Sequence, residues 1–221
     1  MTTDPAPRAV LWDMDGTLID SAEYHWRTWR DTLAELGIAL TPEEFASWFG
    51  SRNDRILGRY FPGMSPAQMA GIGERKEARY RDLVRTEGLS LLPGVQGWLE
   101  RLHAAGWRQA VASSAPPANI AVLLEVLHVG HLFEATVSAE EVAHGKPAPD
   151  VFLRAAERLG VPPDRCVVVE DAAVGVEAGR RAGMRTVGIR GTHGPLDADV
   201  VTTSLADLPP DTFDRLVPAG L

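Results

Sequence analysis

Short apolar runs alternate with helical segments from Leu91 to about Ile189. The apolar runs are RQAVAS (108–113), EATVS (134–138), CVVVE (166–170) and TVGI (186–189). Strands that are separated by helices run parallel, because each helix carries the chain back to the edge where the previous strand began. An earlier run, RAVLW at 8–12, would stay unpaired unless it joined this sheet. The sequence therefore predicts an α/β fold, a parallel sheet with helices on both faces.

Residues 21–87 interrupt this pattern with helix signals and no convincing strand. Asp20 followed by Glu23 resembles a capping box. TPEE (41–44) and SPAQ (65–68) have the same signature, with proline at the first helical position. We therefore predict several helices between the first strand and the second.

The charge distribution separates the helical segment from the rest of the chain. Residues 21–87 have ten basic and ten acidic residues, so the net charge of −8 lies outside them. We predict two domains: an α/β core of residues 1–20 and 88–221, and a helical cap of residues 21–87 inserted after the first strand. Because such a cap supplies its own lid, we expect a monomer.

Composition and charge exclude several classes of protein. A net charge of −8 argues against a nucleic-acid-binding surface, which needs clustered basic residues. No apolar run approaches the roughly 18 residues of a membrane span, and residues 1–7 lack the pattern of a secretory leader. The single cysteine, Cys166, lies in an apolar run and is interpreted as a buried hydrophobic residue. We expect a cytoplasmic protein without nucleic-acid or membrane partners.

Polar residues follow the predicted strands at the edge where open parallel sheets bind their ligands. They are Asp13 and Asp15 after the first strand, Ser113 and Ser114 after the second, Lys146 beyond the third, and Glu170 and Asp171 after the fourth. Taken singly, an acid after a strand often only caps a helix or forms a turn, and a lone lysine is usually solvated. Together, four acids at one edge would repel each other without a cation, and carboxylate oxygens suit Mg²⁺. The sequence predicts an Mg²⁺ site and a phosphorylated substrate.

Four ordered motifs resemble those of the haloacid dehalogenase superfamily, in the branch with a helical cap after the first motif. They are DMDGT with LID, VASS, GKPAPDVF and VVEDAAVG, and the resemblance covers about residues 8–189. It implies a Rossmann-like core, and the group that it most resembles contains β-phosphoglucomutases and sugar phosphatases. The second acid, Asp15, is similar to the phosphoryl-transfer members and unlike the true haloacid dehalogenases, so we expect no dehalogenation.

The resemblance implies a role for each residue of the strand ends. Asp13 would attack phosphorus to form an aspartyl-phosphate, and Asp15 would protonate the leaving oxygen and then activate water. The implied Mg²⁺ ligands are Asp13, Asp15 through its backbone carbonyl, Glu170 and Asp171. The implied phosphate-binding residues are Ser113, Ser114 and Lys146.

Residues of the predicted cap would contact the leaving group and set substrate specificity. Our candidates are His25, Arg52, Asn53 and Lys76, with Trp26 and Tyr80 as further positions. Each of them has a simpler interpretation as a packing or solvated side chain.

The cap segments AEYHWRTW and RKEARY are similar to those of β-phosphoglucomutase, including His25 and Lys76. Against a mutase, Thr17 follows Gly16 where the mutases have valine, and Ala115 and Pro117 stand where a mutase holds its distal phosphate. We predict an Mg²⁺-dependent phosphatase of a small phosphorylated metabolite, a sugar phosphate, with a hexose phosphate mutase as the alternative. A binding domain without enzymatic activity is disfavoured because the motif residues are intact.

Overall fold

A six-stranded parallel sheet forms the centre of the computed structural model, which describes residues 6–191 and 194–219. The strands are β1 (Ala9–Trp12), β2 (Arg108–Ser113), β3 (Ala135–Ser138), β4 (Cys166–Glu170), β5 (Arg185–Ile189) and β6 (Val200–Thr202). They lie in the order β3-β2-β1-β4-β5-β6, and every pair is parallel. The predicted Rossmann-like α/β sheet is confirmed. β6 is a short edge strand that the sequence analysis did not predict.

Nine α-helices lie within the described residues. They are α1 (Ala22–Ala34), α2 (Pro42–Trp48), α3 (Asn53–Tyr60), α4 (Pro66–Glu87), α5 (Val95–Ala104), α6 (Pro117–Val126), α7 (Asp150–Leu159), α8 (Ala173–Arg181) and α9 (Thr212–Leu216). None of the helices in this part of the chain combines the length and the hydrophobicity needed to cross a bilayer.

Helices cover both faces of the sheet, as predicted, because successive side chains of each strand point to opposite sides. Ala9 and Leu11 of β1 pack in one apolar cluster with residues of α7 and α8, including Phe152. Val10 and Trp12 point the other way and pack with residues of α5, α6 and α9. Cys166 lies in the first of these clusters and is fully buried, which confirms its interpretation as a core residue.

Helices α1 to α4 form a helical segment between β1 and β2 with an apolar cluster of their own, which includes Trp29, Leu33 and Trp48. The capping boxes that begin α2 and α4 are present as predicted. The box predicted at the start of α1 is wrong. Helix α1 begins after Ser21, whose side chain makes no capping hydrogen bond but donates to Asp15. The Ser21 hydroxyl therefore hydrogen-bonds the Asp15 carboxylate instead of capping the helix.

The last helix, α9, completes the core on one face of the sheet. The ring of Phe213 lies 6.2 Å from that of Trp12, 4.9 Å from that of Trp98 and 6.1 Å from that of Trp107, measured between ring centroids. This aromatic cluster joins β1, α5 and α9, so the C-terminal tail that contains α9 is part of the fold.

We expect Phe213→Ala to lower the free energy of unfolding by about 3–5 kcal/mol, because it leaves a cavity among three tryptophan rings. Urea denaturation followed by tryptophan fluorescence measures this loss. Leu153→Ala is the matched control, since Leu153 is 39% exposed and its truncation should cost under about 0.5 kcal/mol. Equal losses in the two variants would contradict a structural role for the tail.

Candidate active site

The carboxyl ends of β1, β2 and β4 lie side by side, because β1 pairs with β2 on one side and with β4 on the other. Asp13 directly follows β1, and its backbone N–H donates to the carbonyl of Val169 at 3.0 Å, so it continues the strand. Glu170 is the last residue of β4 and Asp171 comes next. Carboxylate oxygens of Asp13, Glu170 and Asp171 lie within 4.8 Å of one another, and all three residues are buried. The predicted acidic cluster is therefore assembled by neighbouring strands.

The side chain of Lys146 lies among these acids. Its Nζ donates to Oδ1 of Asp13 at 2.5 Å, to Oε1 of Glu170 at 2.7 Å and to the carbonyl of Ala112 at 3.2 Å. Burial alone would lower the pKa of Lys146, but Asp13 and Glu170 raise it above its ordinary value. The lysine is thus a charged residue that links the ends of β1, β2 and β4. The peptide bond between Lys146 and Pro147 is cis.

Two of the clustered carboxyls, those of Asp13 and Asp171, have pKa values above their ordinary range. Burial raises the pKa of Asp13 well above its ordinary value, with Lys146 opposing this shift and Glu170 and Asp171 adding to it. Burial, with the charge of Glu170, raises the pKa of Asp171 to about 7. A divalent cation would favour the ionised forms. Three buried carboxyls with oxygen donors are the donor set that Mg²⁺ prefers, so these residues fit the predicted metal.

Two glycines give these carboxylates the space that they occupy. A Cβ at Gly16 would lie 2.1 Å from Oδ2 of Asp171, and one at Gly175 would lie 1.7 Å from Oε1 of Glu170. Gly16 also has a φ of +85°, a left-handed conformation that glycine adopts without steric cost. The need for glycine at 175 was missed, because nothing in the sequence shows which side chain approaches it.

Asp15 has a different environment from Asp13, although only one residue separates them. Its Oδ1 accepts a hydrogen bond from the hydroxyl of Ser21 and lies 3.8 Å from Nε2 of His25. Burial would raise the pKa of Asp15, but His25, Ser21 and Lys76 together hold it below its ordinary value. Asp15 is therefore a carboxylate in this arrangement and can accept a proton. Its side chain is not among the three clustered carboxyls that could hold a metal.

The two serines at the end of β2 differ in exposure. The side chain of Ser113 is buried, and its Oγ accepts a hydrogen bond from the backbone N–H of Ala115 at 3.1 Å. Ser114 is exposed. The contact between Lys146 and the carbonyl of Ala112 brings the lysine next to Ser113. The predicted phosphate-binding residues Ser113 and Lys146 thus lie at one edge of the sheet with Asp13.

Three of the predicted cap residues converge on Asp15. Nδ1 of His25 lies 2.7 Å from Nζ of Lys76, and the His25 ring stacks on Tyr80 with 4.2 Å between ring centroids. Lys76 is almost completely buried, so its interpretation as a solvated side chain is wrong. Burial and the charge of Lys76 lower the pKa of His25. His25, which is partly buried, and the buried residues Lys76 and Tyr80 therefore form a group beside Asp15.

The other predicted cap residues do not join this group directly. Arg52 is exposed and its Nε contacts Asp54 at 3.3 Å. Trp26 packs edge-on against Phe45 in the helical segment. Asn53 donates to Oε1 of Glu77 at 2.8 Å. Sequence reasoning missed Ser21, Glu77 and Asn119. Ser21 contacts the nearby Asp15, whereas Glu77 and Asn119 contact each other across 42 residues. The only sequence signal for Glu77 was its place beside Lys76 in the RKEARY segment.

Known proteins share this sequence and fold. Residues 7–183 match the model of the haloacid dehalogenase-like hydrolase family. Fructose-1-phosphate phosphatase YqaB of Escherichia coli (strain K12) is 36% identical over 186 residues, which cover 82% of this chain and 95% of that protein. Beta-phosphoglucomutase of Bacillus subtilis (strain 168) is 32% identical over 208 residues and 91% of each chain.

A solved structure has the same overall arrangement. The crystal structure of a mutant of CbbY from Rhodobacter sphaeroides in complex with xylulose-(1,5)bisphosphate aligns with a TM-score of 0.84 and 28% identity, over 91% of this chain and 96% of that chain. The prediction of an enzyme of this family with phosphatase relatives is confirmed. The chain belongs to the haloacid dehalogenase-like hydrolase family.

Proposed function

We propose that this enzyme is an Mg²⁺-dependent phosphohydrolase that cleaves a small sugar phosphate through an aspartyl-phosphate intermediate. The observation that carries the proposal is the contrast between Asp13 and Asp15. Asp13 lies with Lys146 among the clustered carboxyls, and Asp15 lies against Ser21 and His25. Two neighbouring acids in different environments suit a nucleophile and an acid/base.

Asp13 is the proposed nucleophile. Its carboxylate attacks phosphorus, the bond to the leaving oxygen breaks, and water later hydrolyses the resulting acyl phosphate. Lys146, which donates to the Asp13 carboxylate, balances negative charge beside the transferring group. Ser113 and Ser114 are proposed to hydrogen-bond the phosphate oxygens with backbone N–H groups of the same turn.

The metal would be held by the carboxylates of Asp13 and Asp171 and by the backbone carbonyl of Asp15, with Glu170 on or near a metal-bound water. Mg²⁺ supplies a Lewis acid that offsets the charge of nucleophile and phosphate. Support for this set is the closeness of three buried carboxyls whose oxygens suit a hard cation.

Asp15 is the proposed general acid and base. The negative charge of a bound phosphate would favour the protonated form of Asp15, which would give its proton to the leaving oxygen in the first step and take one from water in the second. Ser21 and His25 hold its carboxylate in place. Since His25 stacks on Tyr80 of α4, the helical segment contributes to the position of this acid.

We propose that residues 21–87 form a cap domain over a core of residues 1–20 and 88–221. The separate apolar cluster of the helical segment supports this division. Cap residues His25, Arg52, Asn53 and Lys76 are proposed to set specificity for the leaving group. The monomeric state and the cytoplasmic location stay predictions.

A hexose phosphate mutase is the second candidate function. His25 lies beside Asp15 and contacts Lys76, and both residues belong to the segments that are similar to β-phosphoglucomutase; several relatives carry that name. Ala115 and Pro117 offer no side-chain donor for a second phosphate, which favours hydrolysis. Thr17, whose Oγ1 lies 3.4 Å from Oδ1 of Asp171, also departs from the mutase pattern.

Asp13→Asn should abolish Mg²⁺-dependent release of phosphate from fructose 1-phosphate and from p-nitrophenyl phosphate. An amide is a poor nucleophile, and removal of a covalent nucleophile costs about 10⁴-fold or more in kcat. Colorimetric phosphate detection measures the loss. Asp197→Asn, which changes an exposed aspartate, should keep full activity. Residual turnover near the wild-type rate in Asp13→Asn would contradict the assignment.

Hydrolase and mutase are separated by their products. With β-glucose 1-phosphate and a catalytic amount of glucose 1,6-bisphosphate, we expect free phosphate to form faster than glucose 6-phosphate. Phosphate release and a coupled dehydrogenase assay follow the two products in the same reaction mixture. Faster formation of glucose 6-phosphate would replace the phosphatase by the mutase.

Mg²⁺ should bind more tightly as the pH rises from 5.5 to about 7. The metal-free protein keeps a proton on Asp171, whose pKa is raised to about 7, and metal must displace that proton. The raised pKa of Asp171 also lowers the free energy of unfolding of the metal-free protein as the pH rises from about 4 to about 7, because the unfolded chain ionises this acid at lower pH.

Isothermal titration with MgCl₂ at pH 5.5, 6.5 and 7.5 measures this effect, with NaCl of equal ionic strength as the control. We expect roughly a tenfold gain in affinity per pH unit for each displaced proton. An affinity that does not change over this range would contradict the raised pKa.

A further inference from the structure

A buried hydrogen bond joins helix α4 of the helical segment to helix α6 of the sheet region. Nδ2 of Asn119 donates to Oε2 of Glu77 at 2.6 Å. Asn119 is fully buried and Glu77 is only 4% exposed. A carboxylate buried to this degree needs partners that compensate for lost hydration. This hydrogen bond is therefore a specific contact between two helices, and the residues that form it are 42 positions apart in the sequence.

The second oxygen of Glu77 contacts the helical segment itself. Oε1 accepts from Nδ2 of Asn53 at 2.8 Å and from Nζ of Lys76 at 3.0 Å. Burial would raise the pKa of Glu77, but Lys76 and His25, with the amides of Asn53 and Asn119, hold it below its ordinary value. Glu77 is thus an ionised acceptor that joins α3, α4 and α6.

The donor orientation of Asn119 is set by a third contact. NH1 of Arg81 donates to Oδ1 of Asn119 at 3.1 Å, so the amide oxygen faces arginine and the amide nitrogen faces Glu77. Rotation of this amide by half a turn would place two donors against each other. The Asn119 side chain therefore has one favourable orientation.

Each end of this contact leads to the candidate active site. On one side, Lys76 contacts both Glu77 and His25, and His25 lies 3.8 Å from Asp15. On the other side, Asn119 lies in the first turn of α6, which begins three residues after Ser114. The hydrogen bond joins the helix that supports His25 to the helix that follows the serine turn.

We propose that Glu77 and Asn119 are positioning residues that form a latch between the helical segment and the sheet, and that this latch holds His25 against Asp15. The inference rests on the proposed function, because it concerns the acid that protonates the leaving group. When the latch is broken, α4 shifts relative to α6 and the His25 ring loses its position. A misplacement of about 1 Å at a catalytic group can cost roughly 100-fold in rate.

Two single variants break the latch and one double variant restores it. Glu77→Gln places an amide nitrogen against Nδ2 of Asn119, and Asn119→Asp places a carboxylate against Glu77. In the double variant the amide introduced at position 77 would donate to the carboxylate introduced at position 119, which would still accept from Arg81. Glu87→Gln is the matched control, since Glu87 lies on the same helix in a partly exposed ion pair with Arg27.

The assay uses substrates that differ in their need for a proton. The alkyl phosphates fructose 1-phosphate, mannitol 1-phosphate and 2-phosphoglycolate have poor leaving groups that Asp15 must protonate. 2,4-Dinitrophenyl phosphate reacts without protonation of its leaving group. Because kcat/KM reports only the steps up to the first irreversible one, it excludes the later hydrolysis of the phosphoenzyme. If the Asp15 carboxyl group is misplaced, kcat/KM should therefore fall for the alkyl esters alone.

We expect each single variant to lower kcat/KM for alkyl phosphates roughly 10- to 100-fold, with 2,4-dinitrophenyl phosphate changed less than about twofold and the double variant restored to within about threefold. Asn119→Ala, which removes the donor without adding charge, serves if Glu77→Gln does not fold. Equal losses on both substrate classes, or no restoration in the double variant, would overturn the latch. A wild-type enzyme that cleaves neither class would overturn the proposed function instead.

Discussion

The ion pairs of Lys146 are the interaction on which the candidate site depends. Parallel strands bring acids from β1 and β4 to one edge of the sheet, and burial there opposes their ionisation. Lys146 contacts Asp13 and Glu170 and also hydrogen-bonds the carbonyl at the end of β2. One buried cation thus balances charge and fixes the geometry of three strand ends. The remaining negative charge is what makes the cluster suitable for a divalent metal.

Two further features determine where the acidic side chains of the candidate site lie. Gly16 and Gly175 leave room for Asp171 and Glu170, so backbone shape determines where the carboxylates lie. Asp15 is held by Ser21 and His25, outside the clustered carboxyls. The sheet edge therefore positions one acid, and the first helix after β1 positions the other. A buried network through Lys76 and Glu77 then connects that second acid to α6.

All strands except β6 could be predicted from the sequence because their short, mainly apolar runs alternate with helical segments. The same holds for the acids, serines and lysine at their ends, since strand order alone gathers them. β6 and α9 could not be predicted, because Val200–Thr202 is three residues long and Thr212–Leu216 is one short turn of helix. The pairing of Glu77 with Asn119 also escaped prediction, since nothing local marks a contact across 42 residues.

The proposed mechanism requires Asp13 to receive the phosphoryl group, and chemical mapping of that group gives the sharpest test. The enzyme is quenched in acid during steady-state turnover of an alkyl phosphate, reduced with borohydride, digested and sequenced by mass spectrometry. Borohydride converts an acyl phosphate of aspartate to homoserine, and we expect homoserine at position 13 alone. Homoserine at position 15 or 171, or unmodified aspartate at all three positions, would contradict the assignment of Asp13 as the nucleophile.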